Sequence, residues 1–489
     1  MMKNSQAAAK LPPFTLLDEP QLSFSSENKE SVDPNPLRGL SRFGPYTSSV
    51  FKAYTPQLRV AVVCPNSSWR QVGELMKTLQ VSHRSSDRKE YVPEYPGFHD
   101  LFGVPLVSAE AKVHIKWDDN LGGSNDVEAQ QVYLLSLLKD AIQHLASFSD
   151  LFDVAVVHFP EKWSSVTKTS NFDAHDALKA LGAHYSTPTQ VINDRSFSFN
   201  YKASIAWRLG IALYVKAGGT PWKLAPIAGI PDDTAYIGLA YALKKVSEES
   251  HYVTCCSQVF DMDGGGMQFV AFEARDPVKD IDEAKRNPFL SRDDMRAVLA
   301  RSLSLYQSRN GGALPKRLVI HKTTAFKDEE VQGALDALHG VKEVECIEIS
   351  SRSTWRGIWL IKSGDDKRES GGSLTKPAGY PVPRGTVLLQ TGSSALLWVA
   401  GNAPSVSSTG NYYQGKKSIP KPLLLIRHVG SGSLEAMALE ALALTKMDWN
   451  NDALYDPVPV TIRYSQRLAR TISNIPDLPG NTYPYRLFM

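Results

Sequence analysis

Long apolar runs are missing from this chain of 489 residues. No stretch approaches the roughly 20 apolar residues that a bilayer-spanning helix needs, so a helical membrane protein and a membrane partner are excluded. The opening MMKNSQAAAKLPPF has no apolar segment of the kind a secretion signal carries, so secretion is not expected. Cysteine is scarce. Of Cys64, Cys255, Cys256 and Cys346, two are adjacent in HYVTCCSQVF and none has CxxC spacing. That excludes a disulfide framework and a cysteine zinc site, and the thiols read as small buried hydrophobes in a reducing cytoplasm. Charge of one sign is also lacking. With 54 Lys and Arg against 51 Asp and Glu the balance is only +3, so a nucleic-acid binder would have to concentrate its cations locally. A phosphate loop is absent as well. Neither Asp263-Gly264-Gly265-Gly266 nor Arg309-Asn310-Gly311-Gly312 runs on into Lys-Ser/Thr, and both read as turns.

What is present is an α/β pattern long enough for two or three domains. Residues 1–50 are rich in Pro, Ser and polar side chains and read as an irregular entry segment. From 51 to 225 strands alternate with helices. The strands are LRVAVVC (58–64), HIKW (114–117), DVAVVHFP (153–160) and PTQVI (188–192). The helices are 67–80, 126–148, 173–184 and 203–219, the last closed by Gly218-Gly219. Valine-rich runs between amphipathic helices predict a doubly wound, Rossmann-like domain. From 226 to 489 the order changes. Strands at 234–243, 251–260 and 267–274 precede a helix (291–310), a strand (317–322), a helix (328–340) and a strand (344–350). That succession predicts an RNase H-like domain. Further strands are expected at 357–361, 386–390, 394–400 and 422–428, with helices at 434–447 and 460–474.

Six segments in order carry a resemblance. They are HDALK (175–179), TPTQVI (187–192), YVKAGGTPWKL (214–224), YIGLAYA (236–242), LPKRLVIHK (314–322) and PVTIRYSQRLA (459–469). Together they resemble the MID and PIWI domains of a short prokaryotic Argonaute, over roughly residues 40–489 and with no space ahead of them for N and PAZ domains. The resemblance implies a MID-like domain at 51–225 that binds the guide 5′ end and a PIWI-like RNase H domain at 226–489.

His175 and Lys179 stand four apart and share a helix face, and Lys216 closes another helix. Lysines bind phosphate as point charges and amides bind it by hydrogen bonds. The resemblance implies that His175, Lys179, Thr189, Gln190 and Lys216 hold a guide 5′ phosphate. It also implies that the Met489 carboxylate completes the pocket and shares a magnesium ion with that phosphate. Read without it, the same helix is an amphipathic surface with solvated His and Lys. Lys322, Arg463 and Arg467 are candidates for duplex phosphates.

An RNase H-like nuclease clamps two metals about 4 Å apart with carboxylates. At the positions where the resemblance places them this chain has Ala240, Thr323 and Gln466, none of which is a carboxylate. No catalytic metal and no cleavage are therefore expected. The implied function is guide-dependent recognition, with a guide RNA and single-stranded DNA target, in prokaryotic defence against plasmids or phage. The implied partner is an APAZ-containing effector with a sirtuin-like or TIR-type NAD-hydrolysing domain. Two alternatives stand beside it: an active magnesium-dependent nuclease with rearranged ligands, and a structural α/β subunit that binds no nucleic acid.

Overall fold

A computed structural model describes residues 13–85, 90–123, 125–245, 251–261, 264–277, 281–367, 373–407, 410–415, 418–450, 453–474 and 482–489. Its first large sheet is all parallel. Leu58–Pro65 lies inside it, with Leu106–Ser108 and Ile115–Trp117 along one edge, and Val154–Phe159 then Thr189–Asn193 on the other side. Both faces are covered. Trp69–Gln80 and Lys202–Lys216 pack on one face, Val127–Ala146 and Ala174–His184 on the other. Double coverage is why the two central strands read as unbroken apolar runs and not as alternation. Two of the helices start on an aspartate. Asp126 accepts from the backbone N–H of Ala129, and Asp173 from those of His175 and Asp176.

The second sheet has ten strands. In spatial order they are Phe14–Leu16, Thr386–Leu389, Ser394–Leu397, Leu423–Val429, Glu343–Ser350, Arg317–Lys322, Thr234–Lys245, His251–Asp261, Gly266–Pro277 and Thr482–Pro484. Thr234–Lys245 is antiparallel to His251–Asp261 and parallel to Arg317–Lys322, which is parallel to Glu343–Ser350. This is the expected RNase H-like arrangement. Arg292–Arg309 and Asp328–Ala337 pack on one face; Leu434–Leu444 and Val460–Asn474 on the other. One apolar core runs through both sheets, from Val60, Trp207 and Tyr214 to Tyr236, Cys256, Tyr464 and Phe488. All four cysteines are buried thiols.

Gly238 shows how tightly the helix Val460–Asn474 sits on its sheet. The carbonyl of Gly238 accepts from the Ser465 hydroxyl at 2.8 Å, and a Cβ on Gly238 would meet the Thr461 carbonyl oxygen at 2.0 Å. Backbone, not a movable side chain, occupies that space. Gly238→Ala should therefore destabilise the protein by about 3 kcal/mol, at the upper end of overpacking costs, because the helix must lift. The denaturation midpoint checks this, and an unchanged midpoint would show that the helix shifts freely.

Several sequence readings need correction. The entry segment is not wholly irregular: it holds the helix Pro36–Phe43, begins another at Ser48–Tyr54, and contributes Phe14–Leu16 to the ten-stranded sheet. Its strand Leu22–Ser23 pairs with Lys223–Leu224. Strands of two or three residues have no readable period, and the partners Thr386–Leu389 and Lys223–Leu224 lie hundreds of positions away. The strand expected at 357–361 begins instead at Leu360 and forms a separate ribbon with Ser373–Pro377. The turn read at 261–266 lies partly outside the described residues.

Candidate nucleic-acid interface

The helix Ala174–His184 runs from the end of one parallel strand to the start of the next, Thr189–Asn193. It presents His175 at the rim, where its side chain is 41 % exposed, and Lys179 one turn deeper, where it is buried. Lys216 is the last residue of Lys202–Lys216 and is also buried. Both ammonium groups meet the same strip of chain. Lys179 donates to the Phe488 carbonyl at 2.6 Å and Lys216 to a main-chain oxygen of Met489 at 2.8 Å. Leu487, Phe488 and Met489 are all buried there.

Burial sets the charge state of these lysines. Lys216 is pushed down to about 7, by burial first and then by the nearby Arg467 cation. Lys179 is pushed well below the usual lysine range by burial, then by Lys216 and Arg467, with Asp176 opposing. Four basic side chains gather here, Lys179, Lys216, Arg467 and Arg470, and the two arginines are already matched by Asp176 and Asp448. Burial disfavours the charged form of the two lysines, and an anion beside them would restore it.

Not every expected residue joins this cluster. The Gln190 amide donates to the Val191 carbonyl at 2.8 Å. Thr189 is buried, 3.5 Å from where a Cβ on Gly182 would stand, so it lies at the contact of helix and strand. The resemblance would draw the oxygen ligands of a magnesium ion here from the Met489 carboxylate and a phosphate; the two lysines, when protonated, offer it no lone pair. The one group of ligand-type side chains close enough to share a metal among the described residues, Asp173, His175 and Asp176, lies at the start of the same helix. Its acids already have roles: Asp173 caps the helix and Asp176 pairs with Arg470 at 3.3 Å.

Lys322 must be withdrawn as a duplex contact. Its side chain is 1 % exposed and pairs with Glu330 at 2.7 Å, because its strand end turns beneath the helix Asp328–Ala337. Arg463 and Arg467 are partly exposed, but each is anchored, the first by Asp456 at 3.0 Å and the second by Asp448 at 3.2 Å. Sequence reading placed Arg467 on a duplex path. The fold places it beside the buried lysines, and no local signal in SQRLART indicated this.

Ala240, Thr323 and Gln466 come from three separate elements, yet they line one cavity of about 450 Å³. Its walls also include Tyr241, Pro288, Thr324 and Arg470. No carboxylate lines it among the described residues.

A parallel Rossmann-like sheet joined through one core to an RNase H-like sheet defines the class: an α/β protein with the fold of the MID and PIWI parts of Argonautes. Comparison with known proteins supports the Argonaute family. A protein named Protein argonaute from Cereibacter sphaeroides (strain ATCC 17025 / ATH 2.4.3) is 24% identical over 476 residues, covering 91% of this chain and 54% of the relative. The chain thus spans about half the length of the curated relative it matches. Clostridium butyricum Argonaute bound to a guide DNA and a 19-mer target DNA superposes with a TM-score of 0.66 at 15% identity, covering 98% of this chain and 55% of that one. For A. aeolicus Argonaute the TM-score is 0.61 at 13% identity, covering 97% and 55%. No protein-family profile matches the chain. No helix among the described residues is long and apolar enough to cross a membrane.

Proposed function

We propose that this chain anchors the 5′ phosphate of a guide strand, presents the guide to a complementary target, and does not cut that target. The observation that carries the reading is the pair of buried lysines, Lys179 and Lys216, converging on the chain at Phe488 and Met489. A terminal phosphate supplies concentrated negative charge and acceptor oxygens to such a site. The guide-anchoring part is assigned to residues 51–225 and the duplex-holding part to residues 226–489. His175 at the rim serves to stack on or donate to the first nucleotide.

Loss of cleavage follows from Ala240, Thr323 and Gln466. Hard dications need oxygen ligands with charge, and these three side chains supply none. An output then has to come from a partner. The resemblance favours an APAZ-containing effector that hydrolyses NAD once an RNA guide has found single-stranded DNA, as a defence against plasmids or phage.

The test has two arms. Sequencing of nucleic acid that co-purifies with the chain should return short strands with uniform 5′ phosphates, and absent or random nucleic acid would refute guide binding. The guide-loaded protein with magnesium should leave a complementary target intact; cutting would instead establish a nuclease with rearranged ligands.

A further inference from the structure

One buried acid belongs to both sides of the domain contact. Asp176 stands three residues before Lys179 on the helix Ala174–His184, so the two share a face. From the helix Val460–Asn474 it accepts Arg470 Nη2 at 3.3 Å and the Thr471 hydroxyl at 3.5 Å. Its side chain is 1 % exposed, although that of Arg470 is 61 % exposed. Among the side chains whose charge acts most on Lys179, Asp176 is the acid, while Lys216, Arg467 and Arg470 are bases. A carboxylate is enclosed this deeply only where cations and hydrogen bonds replace its lost hydration. Here those cations belong to the pocket itself.

A guide phosphate would bring a second anion to the same bases. The two anions would repel each other while drawing on one set of cations. We propose that Asp176 is the resident anion of the guide pocket. It holds the helices Ala174–His184 and Val460–Asn474 together while no guide is bound, and it keeps the affinity for the 5′ phosphate below what the bases alone would give. Asp176 thus exchanges phosphate affinity for a pocket that stays assembled when empty. The proposal rests on the guided-binding reading above and adds to it a residue that sets how strongly the phosphate is preferred.

Asp176→Asn removes the charge and keeps an oxygen that can accept from Arg470 and Thr471. The full chain, freed of nucleic acid, is titrated with one RNA sequence carrying either a 5′ phosphate or a 5′ hydroxyl, in EDTA and in magnesium. The variant should bind the phosphorylated RNA on the order of tenfold more tightly than the parent, as expected for removing one nearby like charge at intermediate dielectric. The hydroxyl form should bind both proteins nearly equally. Without RNA the denaturation midpoint of the variant should fall, and phosphorylated RNA should raise it by more than it does in the parent. A role confined to packing would weaken both RNA forms alike, and that result would overturn the assignment. So would a loss of phosphate affinity confined to magnesium, which would place a cation on Asp173, His175 and Asp176. Arg470→Gln, at an exposed side chain, leaves Asp176 with less positive charge around it and should lower affinity for the phosphorylated form alone; an equal loss for both forms would also overturn the assignment. If the unmodified protein does not distinguish the two RNA ends, the guided-binding reading itself fails.

Discussion

Replacing Lys179 and Lys216 together by methionine should lower affinity for a 5′-phosphorylated guide on the order of a thousandfold, since each charge-assisted hydrogen bond is worth ~1.5–3 kcal/mol and the two share one ligand. A 5′-hydroxyl guide should bind the variant and the parent almost equally. Methionine preserves the stem volume, so the apolar packing around Phe488 is retained. The same pair predicts a pH dependence whose sign is fixed. Burial and Arg467 hold Lys216 at about 7 when no anion is present. A phosphate beside it stabilises the charged form and raises that value, so binding takes up a proton wherever the unliganded lysine is neutral. Affinity for the phosphorylated guide should therefore fall as pH rises above about 7, by about tenfold per pH unit for each lysine that must be charged. Below about 6 the phosphate loses its second charge, which sets the acid side of the optimum. Binding titrations of both guides from pH 6 to 9 check this; parallel curves would show that the lysines do not hold the phosphate.

The second large effect is on stability. Beneath the ten-stranded sheet Arg317 bonds Glu345 at 3.0 Å and Glu440 at 2.8 Å, and Tyr236 donates to Glu440. All four residues are buried. Arg317→Met leaves two neighbouring carboxylates without their cation and should cost about 3–5 kcal/mol, the usual result of breaking a buried pair from one side. The double variant Arg317→Met with Glu440→Leu should recover part of that loss, because it removes one stranded charge along with its partner. Denaturation midpoints of the two single variants and the double variant give the coupling directly. If the single losses simply add, the three charges are not acting as one network.

Much of this was legible in the chain. Valine-rich runs at 58–64 and 153–160 marked strands covered on both faces, and the structure places them at the centre of a parallel sheet. The order of elements from 234 to 350 was readable because each is long enough to show its period. Lys179 and Lys216 were candidates from spacing and resemblance, and the fold brings them to two adjacent residues of chain, Phe488 and Met489. Lys322 was misread for a definite reason. A lysine at a strand end looks solvated in one dimension, and only the helix bearing Glu330 shows that it is enclosed.

The amino-acid sequence by itself determined the element types, the burial pattern of each face and the absence of carboxylates at positions 240, 323 and 466. Those properties depend on local periodicity and on residue identity. The tertiary structure decided which faces meet. It set Arg467 and Arg470 of one helix against Lys179, Lys216 and Asp176 of two others, and drew three distant positions into one cavity. Periodicity reports that a face is buried but carries no information about what buries it, and the charge balance of a site exists only once separate helices have packed.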